Sequence, residues 1–290
     1  MTLKQLELYF IDELKLLYGT EEAAQLFYLT AEHLSALSRT QVMLQSDSLV
    51  DHELKESYQK ILSALKDGRP LQYVFAEAWF YGLKFKVSGA VLIPRQETEE
   101  LVHWILETAE QQAVQNFLDV GTGSGCIAVA LKKNLPAAKA EALDISSEAL
   151  EIAIENAATN QTVINFIQGD ILGYESIAMY DLIVSNPPYI TPKERADMHQ
   201  NVLEHEPELA LFVTEEDPLI FYQSIAEFAL KNLNPQGFLF FEINEYLGKE
   251  MIEMLSVKGF AEIQLRKDMQ GKDRMIRCAV PEIRSLDEIQ

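Results

Sequence analysis

Three alternating glycines, two strand-end acids and one polar amide are the residues here whose spacing can do chemistry. Gly121, Gly123 and Gly125 of "LDVGTGSG" follow an apolar run and precede the helical pattern "CIAVALKKNL". Glycine permits tight turns and close approach of a ligand, and open parallel sheets bind ligands beyond the carboxyl ends of their strands. Gly121, Thr122, Gly123, Ser124 and Gly125 are therefore a candidate ligand cradle. Their G-x-G-x-G spacing departs from the G-x-G-x-x-G dinucleotide fingerprint, which makes NAD the lesser reading. The next apolar run ends in Asp144, whose carboxylate can accept hydrogen bonds from both ribose hydroxyls of an adenosine. The run after that ends at Asp170, placed to meet an adenine amine, with Ile171 as an apolar wall. An aspartate at a strand end is often only a cap or turn former, but two in register with a glycine loop favour a ligand role. Asp119 either meets an amino group of that ligand or braces the loop.

The second constellation is "YDLIVSNPPYI", an apolar run that stops at Asn186. The Asn186 side-chain oxygen and the Pro187 carbonyl, held by fixed proline φ angles, are two acceptors able to grip both hydrogens of one planar NH₂ group. Tyr189, after Pro188, can pack on the flat face of that group. An Asn-Pro turn is the bland alternative. The full Asn-Pro-Pro-Tyr set, downstream of a glycine loop and two acids, outweighs it.

The glycine loop and its acids resemble those of the S-adenosylmethionine-dependent methyltransferases, whose Rossmann-like α/β sheet has an antiparallel last strand. Under that resemblance the gripped nitrogen is the nucleophile. An amide or aromatic amine is a poor one because its lone pair is delocalised. Two fixed acceptors raise electron density on nitrogen and aim its lone pair at a sulfonium methyl. The nitrogen becomes acidic only as it is alkylated, so no poised histidine is required.

The elements that must position these residues can be read from periodicity. Thr2 caps a segment with Leu3, Leu6, Phe10, Leu14 and Leu17 at helical spacing, ended by Gly19, and Thr20 with Glu21 and Glu22 opens the next. "SRTQ" has capping-box form, and Leu54, Tyr58, Ile61, Leu62 and Leu65 share one face before Gly68. A small helical bundle is predicted over residues 1–85. Alternation of Leu83, Phe85 and Val87 predicts a hairpin linker reaching about residue 95. After a helix at about 97–112, the runs "NFLDV", "AKAEALDI", "INFIQGD", "YDLIVSN" and "GFLFFEI" alternate with helical patterns. Such alternation implies a mostly parallel sheet covered on both faces, spanning a second domain over 86–290. "FAEIQLRKD" and "RMIRCAV" are separated by a turn too short for a crossover, so an antiparallel edge pair is expected.

Composition limits the partners. The net charge is −21, with 8 basic and 12 acidic side chains in residues 1–85 against 16 and 33 in the rest. An acidic catalytic half argues against a nucleic-acid groove, which holds phosphates with Lys and Arg. Most of these charges are expected on solvated faces, the stretch "EHEPELALFVTEED" included. The opening "MTLKQLELYFIDELKLLYG" interleaves charge with apolar residues, so neither a secretory signal nor a membrane segment is expected. Two isolated cysteines, Cys126 and Cys278, suit a reducing, cytoplasmic setting. Cys126 is expected to pack as a small apolar residue behind the loop. The five histidines have no metal spacing, and His199 and His205 read as loop residues. Arg95 with Glu97 and Glu99 either orders the ligand entrance or forms surface pairs of little energy.

"GRPLQYVFAEAWFYGLKFKV", "VLIPRQETEELV", "LDVGTGSGCIAVAL", "VSNPPYI", "HEPELAL" and "KDMQGKDRMI", in this order, resemble the release-factor glutamine methyltransferases, the PrmC or HemK family. The resemblance covers about residues 68 to 280 and implies methyl transfer from S-adenosylmethionine to the glutamine of the Gly-Gly-Gln motif of class I peptide-chain release factors. It implies that Gly121 to Gly125, Asp144 and Asn186 bind the cofactor, that Ile171 flanks its adenine, and that Asn186, Pro187, Pro188 and Tyr189 hold the glutamine. It further implies that the helical domain contacts the release factor. A monomer without a metal is expected. Departures are Ala76 for glycine, Gln96 for proline, Asn244 and Leu247 for Gly and Gln, and Ile171 where some members have tryptophan. The alternatives are methylation of a nucleic-acid amine, which needs a flipped base and a basic rim, methylation of a ribosomal-protein glutamine, and a noncatalytic cofactor-binding adaptor.

Overall fold

A computed structural model of the chain describes residues 1–191, 193–197, 200–214 and 217–281. Two compact units divide after Glu77, and the helix Gln200–His205 belongs with the first. The sequence pattern instead set the division near residue 85 and kept 86–290 together. The physical reason for the earlier break is that Phe80 and Phe85 of the hairpin are buried in the same core as Trp104.

The first unit is helical: α1 (Leu3–Tyr18), α2 (Thr20–Ser35), α3 (Arg39–Leu44), α4 (His52–Lys66) and α5 (Leu71–Phe75). Three of these starts, α1, α3 and α4, are fixed by a local cap. Thr2 and Gln5 form a reciprocal capping box on α1, Ser38 and Gln41 do so on α3, and Asp51 accepts from the Leu54 amide on α4. The interior holds Leu6, Phe10, Leu14, Phe27, Tyr58, Leu62 and Leu65. Phe10 meets Phe27 edge-on at 5.6 Å, and each such ring contributes roughly 2–3 kcal/mol by leaving water. Leu17, expected on the buried face, is 58% exposed. Tyr18 takes its place, packing against the core and donating its hydroxyl to the Leu65 carbonyl at 2.7 Å. The segment 71–75, within the span expected to be helical, is the short helix α5.

Ala76 ends α5 in the left-handed region at φ 55° and is exposed. A methyl there is strained and loses no buried contact if removed. Ala76→Gly is expected to stabilise the chain by about 0.5–1 kcal/mol, the strain relieved exceeding the added chain entropy. Urea midpoints of the two proteins check this.

The second unit opens with a hairpin, β1 (Glu77–Phe80) and β2 (Leu83–Lys86), turned by Tyr81 at φ 49° and Gly82 at φ 72°. Two positive φ angles are what a two-residue hairpin turn requires. Then follow α6 (Gln96–Gln111), β3 (Asn116–Val120), α7 (Cys126–Asn134), β4 (Lys139–Asp144), α8 (Ser147–Thr159), β5 (Asn165–Gln168) and β6 (Tyr180–Ser185). A 3₁₀ turn Glu194–Asp197, α9 (Gln200–His205, of the helical unit) and α10 (Glu208–Leu211) precede α11 (Ile220–Asn232), β7 (Leu233–Glu242), α12 (Gly248–Lys258), β8 (Ala261–Lys267) and β9 (Asp273–Ala279).

Apart from the β1-β2 hairpin, the strands form one sheet in the order β5-β4-β3-β6-β7-β9-β8, parallel through β7, with β9 antiparallel to both β7 and β8. The last strand thus inserts inside the edge, and the expected antiparallel pair is present. Successive residues of β7 serve opposite faces, as a strand's period of two demands. Phe240 packs edge-on to Trp104 of α6 at 5.4 Å, whereas Phe241 meets Tyr222 of α11 at 5.2 Å. Among the described residues no helix is long and apolar enough to cross a membrane.

Candidate active site

Register places the chemistry. Val120 of β3 pairs with Leu143 of β4 and with Ser185 of β6, so Gly121 lies between the carboxyl ends carrying Asp144 and Asn186. A cavity of about 530 Å³ opens there. Gly121, Thr122, Gly123, Ser124, Asp144, Asp170, Ile171, Asn186, Pro187 and Pro188 all line it. Gly125 and Tyr189 do not.

The glycines do separate work. Gly121 and Gly123 have φ of 72° and 54°, and a Cβ built on either meets nothing within 4 Å, leaving open cavity beside bare backbone. Gly125 has φ 79°, but its Cβ would meet the Cβ of Ala153 at 3.1 Å. Its lack of a side chain therefore serves the packing of the loop against α8. A ligand can therefore lie directly against the backbone of Gly121 and Gly123.

The carboxylates are more committed to backbone than their types alone suggest. Asp144 accepts from the Gly123 amide at 2.8 Å on one oxygen and from the Ser146 amide at 2.9 Å on the other. Burial raises its pKa, and the backbone donors oppose this. Asp170 is exposed, with one oxygen accepting from Leu172 at 3.0 Å. Asp119 braces the loop, accepting from the Thr122 hydroxyl at 2.6 Å and the Ala128 amide at 3.2 Å. It does not reach the cavity wall. Its other oxygen is buried without a hydrogen bond, and burial pushes its pKa up to about 7.

That shift has a sign. A carboxylate whose folded pKa exceeds its unfolded value near 4 binds more protons when folded, so its contribution to stability falls as pH rises from about 4 to about 7. Asp119→Asn removes this dependence. Relative to wild type, the variant is expected to gain about 2 kcal/mol between pH 5 and pH 8, read from denaturation midpoints at both.

Around Asn186 the structure brings in two residues absent from the sequence-level set. The Asn186 Nδ2 donates to the Thr98 hydroxyl at 3.3 Å, and Thr98 donates to Glu242 Oε2 at 2.6 Å. Glu242, at the end of β7, is 1% exposed. Its other oxygen accepts from the Tyr189 hydroxyl at 3.3 Å. Tyr189 thus turns its polar end away from the cavity, and burial drives its phenol pKa up. The available signals were a glutamate closing the otherwise apolar run "GFLFFE" and a threonine on the buried face of α6. Asn244 donates to the Tyr189 carbonyl at 3.2 Å and to Glu194 at 2.8 Å, so this departure anchors the segment that follows Tyr189.

Two expected pairings are corrected. Arg95 engages neither Glu97 nor Glu99 but Glu206, at 2.6 Å. Glu206 is 5% exposed rather than solvated, and also accepts from the Ile93 amide. Glu99 accepts from the Tyr81 amide instead. Pro94, Arg95 and Pro207 all line the cavity, so this pair ties two of its walls. Elsewhere in the acidic stretch, Glu215 and Glu216 lie outside the described residues, as does His199. His205 lies in α9 rather than a loop. Cys126 is buried, with a thiol pKa pushed up to about 12. No group of metal ligands occurs among the described residues.

The cavity brings bare glycine backbone and the strand-end carboxylates Asp144 and Asp170 together with the Asn186 carboxamide and two prolines. Comparison with known proteins agrees. The methyltransferase small domain family model matches residues 98–210, and the PrmC N-terminal domain model matches residues 10–75. A release factor glutamine methyltransferase of Flavobacterium psychrophilum is 43% identical over 281 residues, covering 96% of this chain and 99% of that one. Its counterpart in Bacteroides thetaiotaomicron is 41% identical over 270 residues, 92% of this chain and 96% of the other. A methyltransferase structure from Pyrococcus furiosus superposes with a TM-score of 0.53 at 18% identity, over 75% of this chain and 99% of that one, a likeness of fold. On the full-length matches at this identity, the chain belongs to the release factor glutamine methyltransferase family.

Proposed function

We propose that this chain transfers a methyl group from S-adenosylmethionine to the side-chain amide nitrogen of the glutamine in the Gly-Gly-Gln motif of class I peptide-chain release factors. The observation that carries the reading is Asn186 and Pro187 on the wall of the same cavity as the bare Gly121 and Gly123 backbone, in a chain of this family. The bound cofactor supplies an electrophilic methyl group on a sulfonium sulfur. The rest is the work of the chain's own residues.

Gly121 to Gly125 and Asp144 hold the nucleoside end, with Asp170 and Ile171 at the adenine edge. The Asn186 Oδ1 and Pro187 carbonyl accept the two N–H groups of the glutamine amide and fix its plane. The apolar wall of Val91, Leu92, Leu209, Phe221 and Ile225 excludes water. Neutral acceptors suffice, because the amide nitrogen needs orientation before transfer and sheds a proton only as it is alkylated. The helical unit contacts the release factor, and the enzyme acts as a cytoplasmic monomer.

Incubation with radiolabelled S-adenosylmethionine and release factor, its Gly-Gly-Gln→Gly-Gly-Ala variant, ribosomal proteins, DNA or RNA tests this. Label is expected on intact release factor alone. Label confined to nucleic acid or to a ribosomal protein overturns it.

A further inference from the structure

We infer that Glu242 and Thr98 are positioning residues that set the polarity of the Asn186 carboxamide, presenting its oxygen rather than its nitrogen to the substrate. This rests on the reading of Asn186 as an acceptor for the substrate amide. The inference follows from counting protons. An ionised carboxylate only accepts, and a threonine hydroxyl has one proton. The 2.6 Å contact assigns that proton to Glu242 Oε2. The Thr98 oxygen can then only accept from a further neighbour, and Asn186 Nδ2 supplies the donor at 3.3 Å. Turning the carboxamide over would set its oxygen against an oxygen with no proton left to give. With Nδ2 committed, Oδ1 is the atom left for the cavity that Asn186 lines.

Glu242 holds both ends of the segment, since its Oε1 accepts from Tyr189. A buried carboxylate is a poor device for stability, because apolar residues of similar volume usually serve as well or better. A role in orientation accounts for it here. The groups facing it are Arg274 of β9, which favours the charged form, Glu97 of α6, which disfavours it, and Tyr189 and Tyr222. Burial raises the pKa of Glu242. A protonated Glu242 donates to Thr98 and lets the hydroxyl turn its proton toward Asn186, reversing the relay.

The test compares Thr98→Val, Thr98→Ser and Glu242→Gln in the full chain. Thr98→Val keeps the side-chain shape and removes the hydroxyl. It is expected to lower kcat on release factor by about 10- to 100-fold, since a misplacement of about 1 Å of the reacting groups can cost about 100-fold. The S-adenosylhomocysteine Kd by calorimetry should stay within about threefold, a difference under 0.7 kcal/mol. Thr98→Ser should restore kcat to within the same factor, and Glu242→Gln, whose amide can either accept from Thr98 or donate to it, should lower kcat by a smaller factor than Thr98→Val does. A second readout needs no substrate. The Asn186 side-chain NH₂ protons, followed by nitrogen-15 NMR, should exchange slowly in wild type and fast in Thr98→Val. That result supports the relay even if wild type fails to methylate release factor, which would sink the functional reading alone. Wild-type kcat in Thr98→Val, equal losses in the Ser and Val variants, a parallel loss of cofactor affinity, or equal exchange rates overturns it.

Discussion

Asn186→Ala is expected to reduce kcat by about 10³-fold or more while the Kd for S-adenosylmethionine rises less than about tenfold. The asymmetry follows from where the side chain sits. The end of the cavity proposed to hold the nucleoside is lined by Gly121, Gly123, Asp144 and Ile171, none of which hydrogen-bonds to Asn186. The substrate amide, by contrast, loses one of its two acceptors, and a single remaining carbonyl fixes neither its plane nor its lone pair. Alanine also leaves the Thr98 hydroxyl without its donor, but Thr98 keeps its bond to Glu242, so the fold around the site persists. Single-turnover transfer of label to release factor, with calorimetric titration of the cofactor, separates the two effects. Turnover at the wild-type rate would show that the nitrogen-gripping role is misassigned.

The second large effect is expected at Gly123. Gly123→Val adds a branched side chain at φ 54° on a wall where nothing lies within 4 Å. Left-handed backbone costs a non-glycine residue roughly 1–2 kcal/mol, which a domain with ordinary stability survives. The side chain, however, occupies space beside the bare backbone proposed for the cofactor. Cofactor affinity is expected to fall by about 100-fold, near 3 kcal/mol, with the folded state retained. Gly125→Ala is the contrast, since its Cβ runs into Ala153 at 3.1 Å and the penalty falls on the packing of the loop against α8. A folded Gly123→Val protein with wild-type cofactor affinity removes the glycine cradle from the account.

Much of the cavity's lining was legible in sequence because its parts are contiguous. The glycine loop and Asn186 to Tyr189 act through backbone geometry over a few residues, and such geometry is encoded by Gly and Pro themselves. The same holds for the caps at Thr2, Ser38 and Asp51, which satisfy amides only three residues away. Leu17 was misjudged because helical spacing reports a face and not where that face ends. Tyr189 was expected against the substrate, yet its hydroxyl found a buried carboxylate, the strongest acceptor within reach. Arg95 likewise passed over the glutamates beside it in sequence for Glu206, whose burial leaves it in need of a cation.

The amino-acid order by itself determined which segments become strands and helices, where the glycine loop turns, and that Asn186, Pro187 and Pro188 end a strand at the cavity. Tertiary structure decided which way the Asn186 carboxamide faces. That choice depends on Thr98 and Glu242, the first 88 positions from Asn186 and the second 144 from Thr98. A local pattern cannot encode it, because a hydroxyl's single proton is assigned only when sheet register and helix packing bring its acceptor and donor to opposite sides of one oxygen.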